Sequence, residues 1–325
     1  MKEISWGIIG CGDVTEVKSG PAFNKVENSK LTAVMRRNAA KAEDYARRHK
    51  VPKWYSNADD LIHDKDVNAI YIATPPSSHL EYALKCIEAG KPFYVEKPMA
   101  MNTAEAVIMA DKTAAANIKA VVAHYRRTLP MYMHIKQLIN MDVFGEVRMM
   151  NIHYHQPVLR PAELKLEKNA WRVDPSIAGG GLFHDIAPHQ IDVAYFLFGQ
   201  IAEASGVSVN QARIYNADDM VAGNILFKNS VVMNGTWNFS SSPKAATDVC
   251  EIIGTKGKIT FSFFGNSKVE LVTHAGKKNL LFHAQKHIQQ PMIEKIVQYF
   301  LGEGENPCSL HEGIEIMKAI DAISQ

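Results

Sequence analysis

Lys97 closes the stretch Pro92-Phe93-Tyr94-Val95-Glu96-Lys97-Pro98, where a short apolar run ends in an acid, a base and a proline. A lysine just past a buried strand can reach a ligand, and its pKa falls readily on desolvation. The competing reading is a solvated lysine in a surface loop. The other dense cluster runs from Gly179-Gly180-Gly181 through His184, Asp185, Pro188 and His189 to Asp192. Asp185, His189 and Asp192 are spaced i, i+4 and i+7, so they share one face of a helix that starts early enough. A histidine near a carboxylate can act as a general base at neutral pH, with its orientation fixed by the neighbour. No metal is expected, since the HExxH spacing is missing. The bland alternative is a helix capped by Asp185 with a buried, satisfied His189.

The surrounding pattern must place these groups. Strand-like runs near 4–9, 31–35, 69–74, 92–95 and 119–123 alternate with helical patterns near 14–24, 39–49, 78–89 and 103–117. Ser78 and Glu81 have capping-box spacing, Asn102 precedes an Ala-rich helix, and Gly90 is a helix stop. This alternation predicts a parallel, doubly wound sheet, whose ligands bind at the carboxyl ends of the strands. After residue 124 the pattern changes. Helices are expected near 130–141, 186–198, 289–301 and 311–323, and strands near 146–156 and through most of 201–283. Pro188 suits only a first helical turn, which puts the start of its helix near 186. Consecutive strands with short turns predict an α+β domain around a large, mostly antiparallel sheet.

Gly10-Cys11-Gly12 follows the first strand and reads as a dinucleotide-binding turn. Gly10 permits the bend, Gly12 lets backbone approach a pyrophosphate, and Asp13 and Val14 open the helix that presents its N–H groups. Thr15 stands where the fingerprint has its third glycine. About twenty residues further on, NAD enzymes usually carry an acid for the ribose 2′-hydroxyl, whereas this chain has Arg36-Arg37. A guanidinium binds a 2′-phosphate through charge-assisted bonds, so NADP is expected, with NAD as the alternative. Thr74-Pro75 with His79, Glu96-Lys97 and His124-Tyr125-Arg126 follow the later strands and are expected at the same edge.

The bulk numbers exclude other classes. The chain has 325 residues, 46% hydrophobic and 22% charged, which suggests two globular domains. A formal net charge of +2 argues against a nucleic-acid footprint. No apolar stretch reaches the roughly 18 residues needed to span a membrane, and no signal peptide is visible. The four cysteines form no CxxC pair and suit a reducing cytoplasm.

Taken in order, Gly10-Cys11-Gly12, Ala73-Thr74-Pro75, Glu96-Lys97-Pro98 and Gly179-Gly180-Gly181 with Asp185-x-x-x-His189-x-x-Asp192 resemble the glucose–fructose oxidoreductase/inositol dehydrogenase (Gfo/Idh/MocA) family. The resemblance covers nearly the whole length. It implies a Rossmann dinucleotide-binding domain over 1–124 and an α+β substrate-binding and oligomerisation domain over 125–325. It implies hydride transfer between NAD(P) and a sugar, polyol or related small carbonyl compound. It also implies a homodimer or homotetramer formed through the C-terminal sheet. By position, Lys97, Asp185 and His189 become the catalytic set, the Lys97–Pro98 bond is expected to be cis, and Trp171-Arg172 is expected near cofactor or substrate. Ala187 stands where a glycine is usual, which matters only if positive φ is needed there. Two rival readings are a non-catalytic NAD(P) sensor on the same fold and a dihydrodiol- or anhydrosugar-type reductase.

Overall fold

The computed structural model describes residues 2–325, which fall into two compact units, 2–125 with 285–314, and 126–284 with 315–325. In the first unit, β1 (Ile4–Ile9), β2 (Ser29–Met35), β3 (Lys53–Tyr55), β4 (Ala69–Ile72), β5 (Phe93–Val95) and β6 (Ala120–Val122) form a parallel sheet. Its order is β3-β2-β1-β4-β5-β6. Strands buried on both faces are largely apolar, and every residue of β1, β4, β5 and β6 is buried, the polar Ser5 of β1 included. The order reverses at β1/β4, which is where doubly wound sheets open a crevice at their carboxyl ends.

The helices between these strands are α1 (Asp13–Val17), α2 (Ala39–His49), α3 (Ala58–Ile62), α4 (His79–Glu88) and α5 (Thr103–Ala115). Asn102 caps α5 as expected, its side chain accepting from the Glu105 N–H. Gly90, with φ +66°, follows the end of α4. The Ser78–Glu81 capping box does not form, because the Ser78 hydroxyl turns back to Thr74 Oγ1 and the Pro75 carbonyl. The short edge strand β3 and α3 were not anticipated. Each is under six residues, too short to show a period.

The second unit contains α6 (Pro130–Asn140), β7 (Val147–Pro157), three short helices α7 (Pro161–Leu164), α8 (Glu167–Ala170) and α9 (Pro175–Ala178), and α10 (Leu182–Phe198). Its sheet adds β8 (Ile201–Val209), β9 (Met220–Phe227), β10 (Val232–Ser241), β11 (Thr247–Gly254), β12 (Gly257–Phe261), β13 (Lys268–Thr273) and β14 (Gly276–Leu281), in the order β14-β13-β12-β11-β7-β10-β9-β8. All pairs are antiparallel except β10 with β7. Alternating burial along β9 and β10 leaves one face apolar and covered and the other open.

The chain first passes between the units at Tyr125/Arg126, one residue after the expected 124/125, and 285–314 lies with the first unit. The reason is packing. Helix α11 (Gln290–Leu301) buries Ile293, Ile296, Val297 and Phe300, and the Phe300 ring sits 5.6 Å from Trp6 of β1. The closing helix α12 (Leu310–Ile323) is divided between the units at Ile314/Glu315.

Candidate functional site

In the first unit, Gly10 takes φ +91°, and a Cβ there would stand 2.8 Å from Thr74 Cγ2 and 2.9 Å from the Thr74 nitrogen. Only glycine lets the ends of β1 and β4 approach this closely. Gly12 precedes α1, whose first N–H groups, including those of Asp13 and Val14, have no partner within the helix. Thr15 fills the place of the third glycine by turning inward, its hydroxyl donating to the Gly12 carbonyl at 2.8 Å. Tyr45 braces the same turn from α2, donating to the Thr15 carbonyl. Cys11 is buried and its thiol is pushed up to about 11, chiefly by desolvation, so it stays protonated and inert. Arg36 follows β2 and its guanidinium reaches back to the Cys11 carbonyl at 3.4 Å, while Arg37 is exposed. A glycine turn with cationic side chains beside it fits the phosphates and ribose of a dinucleotide.

Thr74-Pro75 and Glu96-Lys97 end β4 and β5 at the same edge of this sheet, and the Lys97–Pro98 bond is cis. Glu96 is buried and accepts from Tyr71 Oη at 2.5 Å and from the Lys97 backbone N–H at 3.2 Å. It therefore shapes the loop, while Lys97 is half-buried beside it. His79, expected at this edge, is fully buried, with Nδ1 3.0 Å from the Pro98 carbonyl and Nε2 2.8 Å from the Thr74 carbonyl. The ring is a strut between the two loops. Burial pushes its pKa down to about 4, with the Lys97 charge adding in the same direction and the carbonyls opposing.

In the second unit, α10 starts at Leu182, a full turn before the expected position. Gly181 supplies the entry, with φ +80° and no room for a Cβ beside Ala217. A Cβ on Gly180 would overlap the His184 ring. The early start places Asp185, His189 and Asp192 on one helical face and leaves Pro188 inside the helix. Ala187 is buried in α10 and is not among the positive-φ residues, so no glycine is needed. Asp185 accepts from Arg172 Nε at 2.9 Å, and the Arg172 guanidinium stacks 4.6 Å from the Trp171 ring. The expected Trp171-Arg172 element thus locks onto a residue of the expected catalytic set. Asp192 is engaged differently, in a buried bidentate pair with Arg127. His189 is 6% exposed and faces the edge of Phe264 at 5.8 Å. The backbone N–H groups of Phe263 and Phe264 both donate to Asp248, which holds that loop in place.

Arg126, which follows the end of β6, is buried, donates to the Phe263 carbonyl at 2.7 Å and lies 4.4 Å over the Phe264 ring. Arg127, Phe264, Tyr71 and Gln289 were all missed.

Among the described residues, no group of three or more His, Cys, Asp or Glu side chains is arranged to hold a metal. No described helix is long and apolar enough to cross a membrane.

Residues 4–124 match the family model "Oxidoreductase family, NAD-binding Rossmann fold", and residues 132–260 match "GFO/IDH/MocA C-terminal domain". The chain belongs to the GFO/IDH/MocA oxidoreductase family. A similar curated relative, "Oxidoreductase P35" of Formosa agariphila, is 47% identical over 98% of this chain and 97% of its own length. The 1,5-anhydro-D-fructose reductase of Ensifer adhaerens is 26% identical over 78% of this chain and 74% of its own. A solved levoglucosan dehydrogenase, in complex with NADH and levoglucosan, superposes with a TM-score of 0.87 at 23% identity, covering 99% of this chain and 96% of that one. That last likeness concerns the fold. As a family member, the protein is an oxidoreductase with an NAD-binding Rossmann domain and sugar-related relatives.

Proposed function

We propose that the protein transfers a hydride between NADP(H) and a sugar, polyol or related small hydroxylated carbonyl compound. The observation that carries the cofactor choice is Arg36, set after β2 against the glycine turn where an NAD enzyme would place an acid. When bound, the nicotinamide supplies or accepts the hydride. Lys97 binds the reacting oxygen and stabilises negative charge developing on it. His189 gives or takes the hydroxyl proton. Asp185 steadies that imidazole while it is itself held by Arg172. Anhydrosugars are the first substrates to try within this class, supported by the activities named for the anhydrofructose reductase and levoglucosan dehydrogenase relatives. A dihydrodiol substrate is the second reading, supported by a rabbit trans-1,2-dihydrobenzene-1,2-diol dehydrogenase at 27% identity.

The open sheet face exposes Val207, Val209 and Leu226, which supports self-association into a dimer or tetramer through this sheet. The four free, buried cysteines support a reducing, cytoplasmic location.

The test is a screen of aldoses, polyols, anhydrosugars and diols, following nicotinamide absorbance with NADP and NAD in parallel. Turnover is expected with NADP, and Lys97→Ala and His189→Ala are each expected to abolish most of it while NADP still binds. Near-normal turnover in both variants removes the catalytic assignment. NADP binding without turnover on any substrate would favour the sensor reading.

A further inference from the structure

Beneath the Lys97 loop lies a buried polar chain in an otherwise apolar core. Glu96 is 6% exposed and Gln289 is fully buried. Glu96 Oε1 accepts from Tyr71 Oη at 2.5 Å and from Gln289 Nε2 at 2.7 Å, while Oε2 accepts from the Lys97 N–H. Tyr94 Oη donates to Gln289 Oε1 at 2.8 Å, which fixes the direction in which the amide faces. Gln289 is anchored in turn. Its backbone N–H donates to the Lys18 carbonyl at 3.1 Å, and the nearby His287 ring meets the Val17 carbonyl at 2.6 Å.

A buried amide and carboxyl group are costly unless fully bonded, and an apolar filling of the same volume is commonly as stable. A network of this kind earns an explanation in what it holds still, and the group at its end is the backbone of Lys97. We propose that Gln289 is a positioning residue for Lys97. Acting through Glu96, 193 positions earlier in the chain, it fixes the place and direction of the lysine. It touches neither cofactor nor substrate. The inference rests on the reading of Lys97 as the group that binds the reacting oxygen.

Gln289→Glu keeps the shape and replaces the amide donor with a carboxyl group. Two carboxyl groups sharing one site hold a single proton between them until the pH drives off the second. The protonated pair reproduces the donated hydrogen bond, whereas the doubly ionised pair repels and displaces the loop. With NADPH and 1,5-anhydro-D-fructose as the first probe pair, the variant is expected near wild-type kcat at about pH 6 and roughly tenfold or more below it at about pH 9. Gln289→Met, which has no donor, is expected to be low at every pH, with NADP affinity retained in both variants.

A readout independent of substrate is the methyl resonance of 13C-methylated Lys97, assigned through Lys97→Arg. In Gln289→Glu it is expected to move with the titration of the carboxyl pair, a step absent from the wild type. Should the Gln289 variants fail to fold, Tyr94→Phe removes only the hydroxyl that orients the amide, and a few-fold loss of kcat at constant KM is expected. A wild-type pH profile together with an unmoved Lys97 signal overturns the proposal, as does wild-type kcat in Tyr94→Phe. Full turnover in Lys97→Ala would instead sink the catalytic reading of that lysine, while the methyl signal still decides the link to Gln289.

Discussion

Asp192 shares a helical face with Asp185 and His189, and spacing alone would group the three as one site. The structure gives Asp192 a different task. Its carboxylate and the Arg127 guanidinium form a bidentate pair with side chains 1% and 5% exposed. Asp192→Asn leaves the guanidinium buried without its counter-charge, a change that costs about 3–5 kcal/mol. For a unit of this size each kcal/mol lowers Tm by about 2–4 °C, so a fall of about 10 °C is expected. Turnover per folded molecule is expected to survive at low temperature, because Asp192 stands outside the proposed catalytic set of Lys97, Asp185 and His189. The double variant Arg127→Met with Asp192→Leu removes both charges and is expected to recover most of the loss, since a buried ion pair is often no more stable than an apolar filling. Urea unfolding followed by tryptophan fluorescence gives the free energies, and steady-state kinetics on the folded fraction gives kcat. A cost below about 1 kcal/mol would show that water reaches the pair and would refute the burial argument. Lost turnover at undiminished stability would place Asp192 in the chemistry instead.

The His79 strut makes stability depend on pH. Its folded pKa is depressed to about 4 by burial, so between there and the ordinary histidine value the unfolded chain binds the extra proton. Stability from this ring is therefore present above about pH 6.5 and is lost as pH falls towards 4, by about 3 kcal/mol in all. Wild type is expected to show this acid slope in urea unfolding and His79→Gln to lack it; parallel slopes would remove the strut from the account. At the cofactor turn, Arg36→Glu sets a carboxylate against the 2′-phosphate, and the NADP dissociation constant is expected to rise about 10- to 100-fold with little change for NAD. Titration of nicotinamide fluorescence measures both, and equal effects on the two cofactors would refute the role given to Arg36.

The chemistry at the strand ends was legible because it is local. Gly10 must bend, Lys97 must follow a buried strand, and Asn102 must cap a helix, and each rule needs only a few neighbouring residues. The helix carrying His189 was read a turn short. Pro188 argues for a first turn, and nothing in the residue pattern shows that Gly181 can start the helix earlier by adopting positive φ. The burial of His79 between backbone carbonyls and of Arg126 against Phe264 was not legible, because it depends on chain segments far from them.

By itself, then, the sequence determined a doubly wound nucleotide-binding half, an α+β half and the residue types offered to a ligand, since periodicity and turn chemistry act over a few residues. Only the tertiary structure decided which polar groups support the others. It returned 285–314 to the first unit, set Gln289 against Glu96, gave Asp192 to Arg127 and turned His79 into a brace. Those pairings depend on burial and on contacts between residues distant in the chain, where a satisfied hydrogen bond outweighs any local preference.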